Sequence, residues 1–224
     1  AAILSGDKKM IEIFERGEDV HRAVAAQVFR VSEDEVTTEM RRRAKVINFG
    51  ILYGMGVNAL RVNLGEETTR ADAQQFLNAY FHTFTRLAEY LEDTKSFARK
   101  HGYTETFFGR RRHFAGIKSS IPFMRASAER MAINAPIQGT QADIIRIAMV
   151  RIGEYLKKEM AGKAFMLLQV HDELVFEVEE KSVKKAAEGL KKIMNTVLSE
   201  KETKGVPIRT EASVGKNWGE LVRM

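Results

Sequence analysis

Arg41, Lys45, Phe49 and Tyr53 recur every four residues within MRRRAKVINFGILYGMG (40–56). At about 100° per residue a helix places them near 0°, 40°, 80° and 120°, so all four share one face. Two long cations occupy its first part and two aromatic rings its last. A nucleoside triphosphate has the matching layout, with phosphates for the cations and a planar base for the rings. An amphipathic helix with an exposed basic end and a buried aromatic end has the same pattern, so the spacing alone leaves both readings open. Gly50 and Gly54, four residues apart, leave a groove for close approach of a base or backbone and weaken the helix, which suits an element that moves.

The stretch LLQVHDELVFE (167–177) sets His171, Asp172 and Glu173 between two apolar runs. Adjacent acids in a tight turn can both approach one divalent cation, and hard oxygen ligands favour Mg²⁺. Two acids make a thin cage, and a two-metal site needs another carboxylate from elsewhere. An acidic hairpin turn without chemistry reads the same way. A third stretch, ERMAINAPIQGTQADIIRIAMVRI (129–152), carries Arg130, Asn134 and Gln138 at intervals of four, with Gln141 near the same face if the helix runs past Pro136. A guanidinium and amides in a row suit the acceptors that recur along a nucleic-acid minor groove. They equally suit a solvated polar face.

These residues need elements to hold them. Helical periodicity covers 8–17, then 19–31 with Asp19 as a cap, a long helix over 37–53, and two more reaching about residue 100. The segment 103–108 alternates like a short strand, and three arginines follow Gly109. Residues 122–133 and 137–160 read as helical, separated or kinked at Pro136. Strands at 165–170 and 174–178 flank the His171–Asp172–Glu173 turn, 182–198 is a strongly amphipathic helix, and 206–214 alternates as a half-exposed strand. Helices grouped with a small antiparallel sheet predict an α+β architecture. The glycines of GMGVNA (54–59) imitate a dinucleotide fingerprint, but they follow a helix rather than a strand.

The 224 residues are 44% hydrophobic and 29% charged, the balance of a globular chain. No apolar run approaches bilayer-spanning length. With no cysteine, disulfides, thiolate zinc sites and thiol nucleophiles are excluded. HExxH, GxSxG and Walker A patterns are absent from the sequence, leaving zinc peptidase, α/β-hydrolase and P-loop readings without support. The net charge of +6 is compatible with a polyanionic partner and also with plain solubility.

Taken together, the three stretches resemble a known family. RRRAKVINFGILYG resembles motif B, the fingers helix of family A DNA polymerases of the bacterial polymerase I type. QVHDELVFE is similar to motif C, and RMAINAPIQGTQAD to the palm helix between them. GDKKMIEIFERGEDVHRAVAAQVF, GYTETFFGRRR and the final strand before VGKNW follow the same pattern, so the resemblance spans essentially the whole chain. It implies a partial right-hand fold: 1–15 as the remainder of the palm after motif A, 16–118 as fingers and 119–224 as palm. It implies that Arg41 and Lys45 hold the phosphates of an incoming dNTP, with Lys45 also serving catalysis. Phe49 would pack on its sugar and base, Tyr53 would sit at the templating position, and His21 would make a further phosphate contact. Arg130, Asn134 and Gln138 would track primer-template DNA, His171 would contact the primer end, and Asp172 with Glu173 would be catalytic metal ligands for two Mg²⁺ ions.

The family's first catalytic aspartate lies in motif A, upstream of the part matched by LSGD (4–7). The chain therefore reads as a C-terminal portion. It is expected to need an N-terminal polymerase segment carrying motif A and the thumb, and to be inactive alone. A polymerase-derived nucleic-acid-binding subunit without catalysis is the alternative. The expected setting is the cytoplasm, at the nucleoid or in an infected host cell.

Overall fold

A computed structural model describes residues 1–65 and 67–224. Side-chain caps set the main helical boundaries. After a single turn, α1 (Ala2–Ser5), the Asp7 carboxylate accepts from Met10 N at 3.0 Å and starts α2 (Lys8–Glu15). Asp19 accepts from the amides of His21 and Arg22 and starts α3 (Val20–Phe29). Thr37 accepts from Met40 N at 3.2 Å and starts α4 (Thr38–Leu52), which ends at Tyr53. Each cap satisfies amides that a helix leaves without partners at its first turn.

The next helix, α5 (Val57–Leu64), opens at Gly56, so the GMGVNA glycines join two helices and follow no strand. Thr69 and Asp72 form a reciprocal capping box at the head of α6 (Arg70–Thr83), and Gly102, at φ 80°, ends α7 (Thr85–His101). β1 (Tyr103–Glu105) pairs antiparallel with β2 (Arg111–His113). Then come α8 (Pro122–Glu159), β3 (Ala164–Val170), β4 (Glu173–Val178), α9 (Val183–Asn195), α10 (Glu200–Thr203), β5 (Ser213–Val214) and β6 (Val222–Arg223).

The chain divides into two compact units. The first holds residues 1–139 with 204–206. Its core joins Val24 and Ala25 of α3 to Ala44, Ile47 and Ile51 of α4, with Leu60, Tyr80, Phe84 and Leu87 around them. The buried Asp7 carboxylate also accepts from Leu87 N at 3.2 Å, tying the start of α2 to α7. The second unit holds residues 140–203 with 207–224. There the β3–β4 hairpin lays Met166, Leu174 and Phe176 against Ala148, Ile152 and Leu156 of α8 and Ala186 and Leu190 of α9. Its other face leaves Phe165 and Leu167 exposed. The result is an α+β fold in which the described strands form three separate two-stranded antiparallel sheets among the helices.

Two elements differ from the sequence expectation. α8 runs on through Pro136 as one helix, so of the two alternatives the separation does not occur. Proline removes one rung of the hydrogen-bond ladder, and the apolar residues on either side, Ile133 and Ile145, stay buried along one uninterrupted helix. The expected strand over 206–214 is a strand only at Ser213–Val214, paired with β6. The alternation at 208–212 is real in burial, with even-numbered residues half-buried and odd-numbered ones exposed. A chain segment becomes a strand only with a ladder partner: Met224 N donates to the Ala212 carbonyl at 2.9 Å beside the β5–β6 pairs, and residues 208–211 have no strand pairing among the described residues.

Candidate nucleotide and nucleic-acid interface

Helix α4 turns Ala44, Ile47, Asn48 and Ile51 inward and leaves Arg41, Lys45, Phe49 and Tyr53 on its exposed side. The two rings sit 6.1 Å apart between centroids, and the His21 ring from α3 lies 5.8 Å from Phe49. Phe49 is 41% exposed and Tyr53 37%, which rules out the alternative of a buried aromatic end. All five residues proposed for nucleotide binding thus come together in the first unit.

Asp19 organises the cationic end. While one carboxylate oxygen caps α3, the other accepts from Arg41 Nε. Burial pushes the Asp19 carboxyl up, but Arg41 and the two α3 amides outweigh it and hold the group below its ordinary range. His21 is held below its ordinary value as well, by burial first and then by the charges of Arg41 and Lys45; Asp19 pulls the other way. Burial and the two cations thus disfavour the charged imidazolium, in a site whose cations invite anions. Its Nδ1 lies 3.0 Å from Asn48 Nδ2.

The groove expected at Gly50 and Gly54 is filled. A Cβ on Gly50 would overlap the end of the Met55 side chain, and one on Gly54 would lie 2.9 Å from Arg130 Cγ and 3.0 Å from Ile133 Cδ1. Gly54, at φ 77°, lets the chain leave α4 and pack directly on α8. Gly54, just past the end of α4, therefore abuts Arg130, the first residue of the Arg130–Asn134–Gln138 stripe. Arg130 and Gln138 are exposed, and Asn134 is half-buried, with an Oδ1 that accepts no hydrogen bond among the described residues. The β1–β2 turn holds this part of α8 in place: Thr106 Cγ2 would lie 2.5 Å from a Cβ on Gly139, and Arg110 donates to the Gly139 carbonyl at 3.1 Å.

His171, Asp172 and Glu173 belong to the second unit. Val170 pairs with Glu173, so His171 and Asp172 form a two-residue hairpin turn, with His171 at φ 54°. All three side chains are exposed. The turn's hard carboxylate oxygens suit Mg²⁺ in kind, but among the described residues no group of three or more His, Cys, Asp or Glu could hold a metal. Asp172 and Glu173 are part of a coordination shell at most.

Asn48, the Asp19–Arg41 pair and the Thr106–Arg110 clamp were not found from sequence as site elements. Asn48 had a signal: it is an amide inside the apolar run VINFGIL. The other contacts join residues far apart in the chain, and no spacing rule reaches them.

The sequence profile of DNA polymerase family A matches residues 1–220. DNA polymerase I of Rhizobium leguminosarum is 43% identical over 213 residues, covering 95% of this chain and 21% of the relative. DNA polymerase I of Pseudomonas aeruginosa is 43% identical over 219 residues, covering 98% and 23%. The thermostable DNA polymerase I of Thermus aquaticus is 40% identical over 217 residues, covering 97% and 25%. A solved structure, the POL domain of Pol1 from M. smegmatis in complex with DNA primer-template and dNTP, superimposes with a TM-score of 0.83 at 40% identity, covering 92% of this chain and 35% of that one. The chain spans about a fifth to a quarter of the length of these three polymerases. On the extent of these matches, the chain belongs to DNA polymerase family A.

Proposed function

We propose that this chain carries the nucleotide-binding and part of the metal-binding apparatus of a template-directed DNA polymerase that extends a primer 3'-hydroxyl with dNTPs. The observation that carries the reading is the exposed Arg41–Lys45–Phe49–Tyr53 face with the His21 ring against it. Arg41 and Lys45 neutralise the triphosphate, and its oxygens compete with Asp19 for the Arg41 guanidinium. Phe49 packs on the sugar and base, and Tyr53 stands at the templating position. Arg130, Asn134 and Gln138 follow primer-template along its minor groove, where acceptors recur at every base pair. His171 meets the primer end.

Asp172 and Glu173 would hold Mg²⁺ together with a carboxylate from a further polymerase segment carrying motif A. Bound there, the cations would activate the 3'-hydroxyl and offset charge on the phosphates. In this reading 1–15 and 119–224 belong to the palm and 16–118 to the fingers, and the chain acts on DNA inside the cell. Among the described residues no helix is long and apolar enough to cross a membrane.

The test is Asp172→Asn in a polymerase that includes the motif A segment. Primer extension should collapse while primer-template binding survives, and unchanged extension would remove Asp172 from the metal site. Absence of incorporation by the unsubstituted protein, with motif A and Mg²⁺ supplied, would favour a binding subunit without catalysis.

A further inference from the structure

Asn48 is a buried amide between Ile47 and Phe49 on the inward side of α4. Its Oδ1 is buried and accepts no hydrogen bond among the described residues. An apolar side chain of similar shape would avoid that desolvation cost, so the fold keeps an expensive amide for the sake of its other end. That end, Nδ2, lies 3.0 Å from His21 Nδ1. An amide nitrogen only donates, so a neutral imidazole receiving its bond at Nδ1 must carry its own proton on Nε2.

We propose that Asn48 is a positioning residue that fixes His21 as the Nε2–H tautomer, making the ring a neutral hydrogen-bond donor to the triphosphate gathered by Arg41 and Lys45. The inference deepens the functional reading and rests on α4 being the triphosphate face. The charged groups around the ring agree with it. Arg41 and Lys45 of α4 add to burial in disfavouring the charged ring, and Asp19, from the cap of α3 itself, does not overcome them. Phe49, 5.8 Å away between centroids, packs beside the ring. A neutral donor in this place lets the dNTP gain a hydrogen bond without a third cation crowding Arg41 and Lys45.

The experiment is a two-bond ¹H–¹⁵N spectrum of the full-length polymerase labelled at its histidine rings, with His21 assigned by the signal lost in His21→Gln. The proposal requires Nε2 protonated and Nδ1 unprotonated at neutral pH, and a shift of the Nε2 resonance on adding dNTP. In Asn48→Asp the new carboxylate accepts from Nδ1–H, so the proton moves to Nδ1 or both nitrogens are protonated, and the apparent pKa of His21 rises. An Nδ1–H ring in the unsubstituted protein, or a His21 spectrum that Asn48→Asp leaves unchanged, overturns the proposal. The spectrum of the unsubstituted protein decides the tautomer even if the variant fails to fold. Because it is read without turnover, it separates this inference from polymerase activity: an unmoved Nε2 signal in a protein that still incorporates dNTP overturns the donor role alone.

Discussion

Asp19 caps α3 with one oxygen and holds Arg41 with the other, so Asp19→Ala removes two interactions that Asp19→Asn separates. Losing an N-cap acceptor costs about 1 kcal/mol. The ion pair adds only a few tenths, roughly, because the side chains are 34% and 44% exposed and water screens them. Asp19→Ala should therefore cost about 1–1.5 kcal/mol, or about 2–6 °C in a domain of this size. Asparagine keeps the cap acceptor and should cost only a few tenths, roughly. The assay is thermal unfolding together with hydrogen exchange at the His21 and Arg22 amides, which should speed up in the alanine variant far more than in the asparagine one. The carboxylate's lowered pKa fixes the sign with pH. Its contribution is complete above the unfolded carboxylate pKa of about 3.9 and is lost as pH falls through the lower folded value. The asparagine variant has no such loss. Equal damage from alanine and asparagine would show that the ion pair outweighs the cap and refute the reasoning.

Two glycines give further tests. Gly54→Ala places a side chain at φ 77° and 2.9 Å from Arg130 Cγ, so it should cost about 2–3 kcal/mol and displace Tyr53, measured by thermal melts and by Tyr53 ring resonances. Gly139→Ala would press on Thr106 and Arg110; the expected result is weaker primer-template affinity with little change in dNTP affinity, measured by titration of each.

The parts legible in sequence were those governed by local rules. Asp19 and Thr37 announced helix starts, and the interval of four put Arg41, Lys45, Phe49 and Tyr53 on one exposed face. The His171–Asp172 turn followed from two apolar runs meeting at polar residues. What escaped depends on distant partners. Residues 208–211 alternate in burial as a strand would, yet among the described residues no strand pairs with them. Pro136 marks a break by local preference, and the packing along α8 overrides it. The Gly50 notch is closed by Met55, which reaches back across the turn that ends α4, and the Gly54 notch by α8.

The most direct test of the central claim compares Lys45→Ala with the unsubstituted polymerase in two titrations, one for dNTP and one for primer-template duplex. If the α4 face binds triphosphate, loss of a charge-assisted contact worth about 1.5–3 kcal/mol should weaken dNTP use about tenfold to a hundredfold, while duplex affinity stays within roughly twofold. An equal loss in both would make α4 a general DNA-binding face and contradict the account.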